Sequence, residues 1–313
     1  MVKTVAVPIE HADPKEFGRL MDIRLDQYGQ GDARVDEILA ARRFARSRAV
    51  MEQIAEFIND PDQKEFYDWG RGPGDLQQAF NPSPKNVEEK IKDGDGTAGI
   101  FTVISPADLD LYRSLLPAPL TMPEEPMVGV TLLDINPLGS SLNRYQEGRV
   151  TIKAMCPDGV ESWFVISIPV ADLLVCYMGV VWGWPKYMAD QMSLTRDRAE
   201  VIYEGEVRLS LDFAPGPVED EAALKALGRV EAGNTVSFHW RQGGACLVRQ
   251  ESRGSTSPTV LDWQAGMVKV YMRPQDPWAR LIPRNSTTPG FYSKIIGGEG
   301  GQLVWQKLAT IGG

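Results

Sequence analysis

The residues whose types and spacing are best suited to chemistry are Trp182-Gly183-Trp184-Pro185-Lys186. They close an apolar run that begins at Trp163 and is broken mainly by Ser167 and Asp172. Lysine is among the residue types least often buried, yet here its neighbours are Trp182, Trp184, Tyr187 and Met188. Apolar neighbours strip water from an ammonium group and favour the free amine. A free amine adds to carbonyls and forms an imine. The alternative is a lysine whose stem lies along the tryptophans while its head reaches water. The motif by itself leaves both readings open.

Few other nucleophile schemes have their parts. The chain has two histidines, His11 and His239, and neither has a second ligand at metal spacing. No zinc or non-haem iron site is expected, and His-activated serine or cysteine chemistry has little to draw on. The three cysteines, Cys156, Cys176 and Cys246, are odd in number and far apart. That fits buried thiols in a reducing compartment better than a disulfide framework. A net charge of −9 argues against nucleic acid or an anionic membrane as the main partner. No uninterrupted apolar stretch is long enough to span a bilayer. The N-terminal Met1-Val-Lys-Thr-Val-Ala-Val-Pro8 does not read as a secretory signal, so a cytoplasmic location is expected.

The elements that must position Lys186 fall into two parts. Residues 1–96 read as a helical extension. Asp13-Pro14 starts one helix, and Val35, Ile38, Leu39, Val50, Ile54, Phe57 and Ile58 mark another at about 3.6-residue period. These helices need an apolar partner, which predicts a covered barrel or a homo-oligomer contact. Residues 97–313 read as strands. Runs at 99–104, 128–135, 149–155 and 162–168 are strand-like, with Asp158-Gly159 as a hairpin turn. Short helices are predicted at 107–116, after Asp172, and at 218–227. Further strands are predicted at 199–213, 235–240, 245–250 and 267–272. Gly297-Gly-Glu-Gly-Gly301 reads as a turn, because it lacks the strand before and the Lys-Ser/Thr after that a phosphate loop needs.

Three stretches together resemble the acetoacetate decarboxylase superfamily: Leu115-Leu-Pro-Ala-Pro-Leu120, Tyr145-Gln-Glu-Gly148 and Trp182-Gly-Trp-Pro-Lys186. The resemblance implies an α+β fold, a cone-shaped and mostly antiparallel β-barrel carrying the N-terminal helical extension. It implies that Lys186 is a Schiff-base lysine and Glu147 the acidic residue of its pocket, with Tyr187, Trp184, Trp182, Met178, Tyr145 and Thr131 around them. No metal or cofactor is implied beyond the covalent imine, and the partner is a small-molecule carbonyl compound. For Glu147 alone, the residues leave open an exposed turn acid beside Gly148. Tyr187 stands where family members carry a second lysine. Thr131 and Ala98 stand where they carry a further carboxylate and an arginine, and Gly179-Val180 replaces an Arg-Glu pair. These changes imply a substrate larger than acetoacetate. Decarboxylation of a keto acid is the leading expectation. Aldolase, dehydratase or cyclase chemistry through the same imine, and a non-catalytic binding barrel, are the alternatives.

Overall fold

A computed structural model describes residues 96–136, 144–172, 175–176, 184–241, 244–253, 259–284, 286–296 and 302–310. The helices expected before Gly96 and the turn at Gly297–Gly301 lie outside the described residues. The strands are β1 (Thr97–Ile104), β2 (Val128–Ile135), β3 (Tyr145–Met155), β4 (Glu161–Val170), β5 (Lys186–Met188), β6 (Gln191–Leu194), β7 (Arg198–Tyr203) and β8 (Glu206–Pro215). They continue as β9 (Asn234–Arg241), β10 (Gly244–Arg253), β11 (Thr259–Met272), β12 (Thr287–Ile296) and β13 (Gln302–Thr310). Helix α1 spans Leu109–Ser114 and α2 spans Glu221–Gly233. No helix among the described residues is long and apolar enough to cross a membrane.

Among the described residues, all strands belong to one 13-stranded mixed sheet, ordered β13-β10-β9-β4-β3-β2-β1-β12-β11-β8-β7-β6, with β5 added to β4. The expected cone-shaped barrel is therefore corrected to an open sheet. A barrel requires its first and last strands to pair, and among the described residues no ladder joins β13 to β6. The reason is local. Strand β6 has 4 residues and buries Met192 while exposing Gln191 and Ser193. It comes near β2 and β3, where Met192 joins their apolar core, and among the described residues it forms no ladder with either. Strand β4 also divides one edge between two partners. Trp163 and Phe164 pair with β9, and Ile168–Val170 pair with β5, both in parallel.

Residue alternation gives the sheet two dissimilar faces. The even positions Ile100, Val128, Val130, Leu132, Val150, Ile152 and Ala154 face the main core, with Leu111 and Tyr112 of α1 and Met192 of β6. The odd positions of the same strands face the other way, toward the side on which α2 packs. There Gly228 lets α2 approach closely, since a Cβ at that position would fall 2.5 Å from Phe291 Cζ.

The short connections follow their residues. Asp108 caps α1, accepting a hydrogen bond from the Leu111 backbone at 2.8 Å. The expected turn at Asp158-Gly159 forms, with Gly159 at φ +78°. Its Asp158 is fixed by Arg249 of β10, whose Nη1 donates to Oδ1 at 2.9 Å. Arg249 also donates to Glu251 and Gln306, which ties the β3–β4 hairpin to β10 and β13.

Candidate functional site

Lys186 is the first residue of β5. The two residues before it set its place. Pro185 accepts a hydrogen bond from the Ile168 backbone at 3.0 Å, and the Lys186 N–H donates to the Trp184 carbonyl at 2.7 Å. The Ala189 N–H donates to the Val170 carbonyl at 2.8 Å and fixes the other end of β5. The register aligns Ile168 with Lys186, Pro169 with Tyr187 and Val170 with Met188.

An irregularity in the β3–β4 ladder decides which face Lys186 uses. The pairing is Thr151 with Val165 on one side of it, but Val150 with Ser167 and Glu147 with Val170 on the other. One extra residue on β4 is absorbed between them, as in a β-bulge. Beyond that point the alternation of β4 inverts relative to its earlier part. Ile168 and Val170 therefore share the face of Glu147 and Arg149, while Pro169 joins the main core beside Gly148. Lys186, paired with Ile168, is carried onto the same face as Glu147.

The two side chains meet across β4. Lys186 Nζ donates to Glu147 Oε2 at 2.7 Å, and both side chains are only 11% exposed. Glu147 sits inside the β3 ladder opposite Leu133 and not in an exposed turn. Its other oxygen, Oε1, lies 3.8 Å from Arg149 Nε. Tyr145, one pleat earlier on the same face, has its phenol held well above the ordinary tyrosine range, first by burial and then by the negative charge of Glu147. It stays protonated and can donate. Cys176 also lies near Lys186, in a turn capped by Asp172, whose Oδ1 accepts from the Val175 N–H at 2.9 Å. Burial pushes its thiol up to about 12, opposed by the nearby Lys186 charge. A protonated, buried thiol is a poor nucleophile.

The remaining expected residues divide. Thr131 is buried on the same face, paired with Arg149 of β3. Trp184 is partly buried and adjoins Lys186 through its carbonyl. Trp182 and Met178 lie outside the described residues. Tyr187 is carried to the opposite face, because consecutive strand residues point to opposite sides. There it meets Tyr203 edge-on with ring centroids 5.6 Å apart, and the Arg208 guanidinium lies over its ring at 4.6 Å. Arg208 is in turn ion-paired with the buried Asp276. Ala98 likewise faces the main core. The residue that sequence reasoning passed over is Arg149. Its signal was present: Tyr145, Glu147 and Arg149 fall at odd positions of β3, in the opposite phase to the apolar Val150, Ile152 and Ala154.

With this geometry in hand, the comparisons with known proteins place the chain. The sequence profile described as acetoacetate decarboxylase (ADC) matches residues 79–308. A search of curated proteins finds no match. Among solved structures, the chain resembles acetoacetate decarboxylase (ADC) from Legionella pneumophila at 15% identity and a TM-score of 0.51, covering 68% of this chain and 86% of that one. It resembles a second acetoacetate decarboxylase structure at 14% identity and a TM-score of 0.50, covering 67% and 87%. At these identities the structural likeness concerns the fold.

Proposed function

Since this chain belongs to the acetoacetate decarboxylase family, we propose that it is a carbon–carbon lyase that forms an imine between Lys186 and a keto acid larger than acetoacetate. The observation that carries this reading is the largely buried contact of 2.7 Å between Lys186 Nζ and Glu147 Oε2. It is the arrangement an amine nucleophile requires, with a base in hydrogen-bond reach. Glu147 takes a proton from the ammonium group, and the free amine adds to the substrate carbonyl. The resulting carbinolamine loses its hydroxyl as water, with Glu147 returning the proton. In the protonated imine the electron pair of the carbon–carboxylate bond flows toward nitrogen. Carbon dioxide departs and an enamine remains. Protonation at carbon and hydrolysis release the ketone and restore Lys186.

The experiment is borohydride reduction in the presence of keto acids, with mass spectrometry of the Lys186 peptide and measurement of released carbon dioxide. The expected result is a reduced adduct on Lys186 and carbon dioxide from the carboxyl carbon. Glu147→Gln should slow the reaction by about 10²–10⁴-fold, the usual weight of a positioned proton carrier. Adducts formed without carbon dioxide release would assign the same imine to aldol or dehydration chemistry. Absence of any adduct across neutral pH would overturn the proposal.

A further inference from the structure

The ladders align one row of side chains across six strands. Phe291 of β12 pairs with Phe101 of β1, Phe101 with Thr131 of β2, and Thr131 with Arg149 of β3. Between the pairs Glu147–Val170 and Val150–Ser167, Arg149 falls level with Ile168 of β4, which pairs with Lys186. The row therefore reads aromatic, aromatic, hydroxyl, guanidinium, aliphatic, amine. Its far end is closed, because α2 rests on Phe291 and Phe101 at Gly228. Its near end is the amine. Arg149 and Lys186 are separated by one strand and hence by about two strand spacings of about 4.8 Å at the backbone. The floor between them is the apolar Ile168 side chain.

We propose that Arg149 anchors a carboxylate that the substrate keeps throughout the reaction, so that the substrate is an oxo-dicarboxylate. This rests on the reading of Lys186 as the imine-forming amine. Arg149 is 16% exposed and shares its face with Glu147 and Tyr145. A guanidinium in a water-poor site is the side chain best fitted to fork onto a carboxylate. It does not hold the carboxylate that leaves. Decarboxylation turns an anion into neutral carbon dioxide, so a cation on that group stabilises the ground state more than the transition state and slows the step. The anion on Arg149 is a second one, joined to the carbonyl by a short aliphatic spacer that lies over Ile168. Glu147 lies between the two cations, with Oε2 at 2.7 Å from Lys186 Nζ and Oε1 at 3.8 Å from Arg149 Nε, so it is ion-paired with both, and the several N–H donors of a guanidinium let Arg149 keep that pair while it takes a substrate carboxylate.

The test compares two stable ketones that differ by one carboxylate, 4-oxopentanoate and 2-pentanone. Each is titrated against the full-length protein with borohydride, and the Lys186 adduct is quantified by mass spectrometry. The wild type should reach half-maximal trapping at a concentration at least about 10-fold lower for 4-oxopentanoate, the effect of one well-made charged contact. In Arg149→Met that ratio should fall toward one, and Arg149→Lys should restore part of it. A wild-type ratio near one overturns the anchor without recourse to any variant. So does an unchanged ratio in a folded Arg149→Met protein. Absence of Lys186 adducts with both ketones overturns the imine reading itself, and the anchor with it.

Discussion

Replacing Lys186 with Met isolates the energetics of the buried pair. Nζ and Oε2 are 2.7 Å apart, and both side chains are 11% exposed. At an effective dielectric of about 20, unit charges at that separation attract by about 6 kcal/mol. Desolvation of the two groups offsets much of this, so the intact pair contributes little net stability. Removing one partner is different, because it leaves a charge buried and costs about 3–5 kcal/mol. Arg149 Nε stays 3.8 Å from Glu147, which places Lys186→Met near the lower end, about 3 kcal/mol. Glu147→Gln should cost a similar amount, since it leaves an ammonium without its carboxylate. The double variant removes both charges. Its loss should fall short of the sum of the single losses by about 2 kcal/mol. Urea unfolding followed by circular dichroism measures all four corners of the cycle. In a domain of this size each single variant should also lower Tm by about 6–12 °C. Additivity within about 0.5 kcal/mol would refute the claim that these groups form a desolvated pair.

Two further predictions concern the frame around the site. Gly148→Ala would place a Cβ 2.6 Å from Leu132 Cδ2 and 2.8 Å from Pro169 Cγ, forcing β3 away from β4 beside Glu147. It should cost about 1–3 kcal/mol and slow Lys186 trapping; unchanged melting with unchanged trapping would refute that packing. The Asp158 carboxyl is held below the usual carboxylate range, first by the hydrogen bond from Arg249. A lowered folded value means that its contribution is complete above the unfolded value of about 3.9 and is lost as pH falls through the folded one. Asp158→Asn should therefore be less stable than wild type at neutral pH, by about 1 kcal/mol, because Asp158 is about one-third exposed and the buried Arg249 keeps Glu251 as a second partner. The two proteins should converge in urea midpoint near pH 2, and a gap that persists there would count against the assignment.

Much of this arrangement was readable from sequence, and the exceptions share a cause. Local chemistry announced β2, the Asp158-Gly159 turn, the short helix within 107–116 and the motif ending in Lys186. The sequence did not carry which strand lies beside which. Arg149 was overlooked because its relation to Lys186 exists only once β4 stands between β3 and β5. Tyr187 drew attention by adjacency to Lys186, yet adjacency on a strand means opposite faces. The barrel expectation failed at β6, a strand of 4 residues that pairs with β7 and has no ladder to β13 among the described residues. Strands β5, β6, β12 and β13 were not foreseen. Gly290 and Pro289 interrupt β12, and β5 has only 3 residues, too few for a period to emerge.

The extra residue in β4 also constrains how the surface around Lys186 in this chain tolerates sequence change. Ile168 and Val170 face Lys186's side of the sheet only because the ladder slips once between the early and late parts of the strand. Point substitutions at these two positions resize the surface beside Lys186 and leave the frame intact. A one-residue deletion in the same strand restores simple alternation and exchanges the floor for the residues that now face the core. Diversification of this site is thus open to substitution and closed to length change along β4. Libraries at Ile168 and Val170 are best built at fixed length.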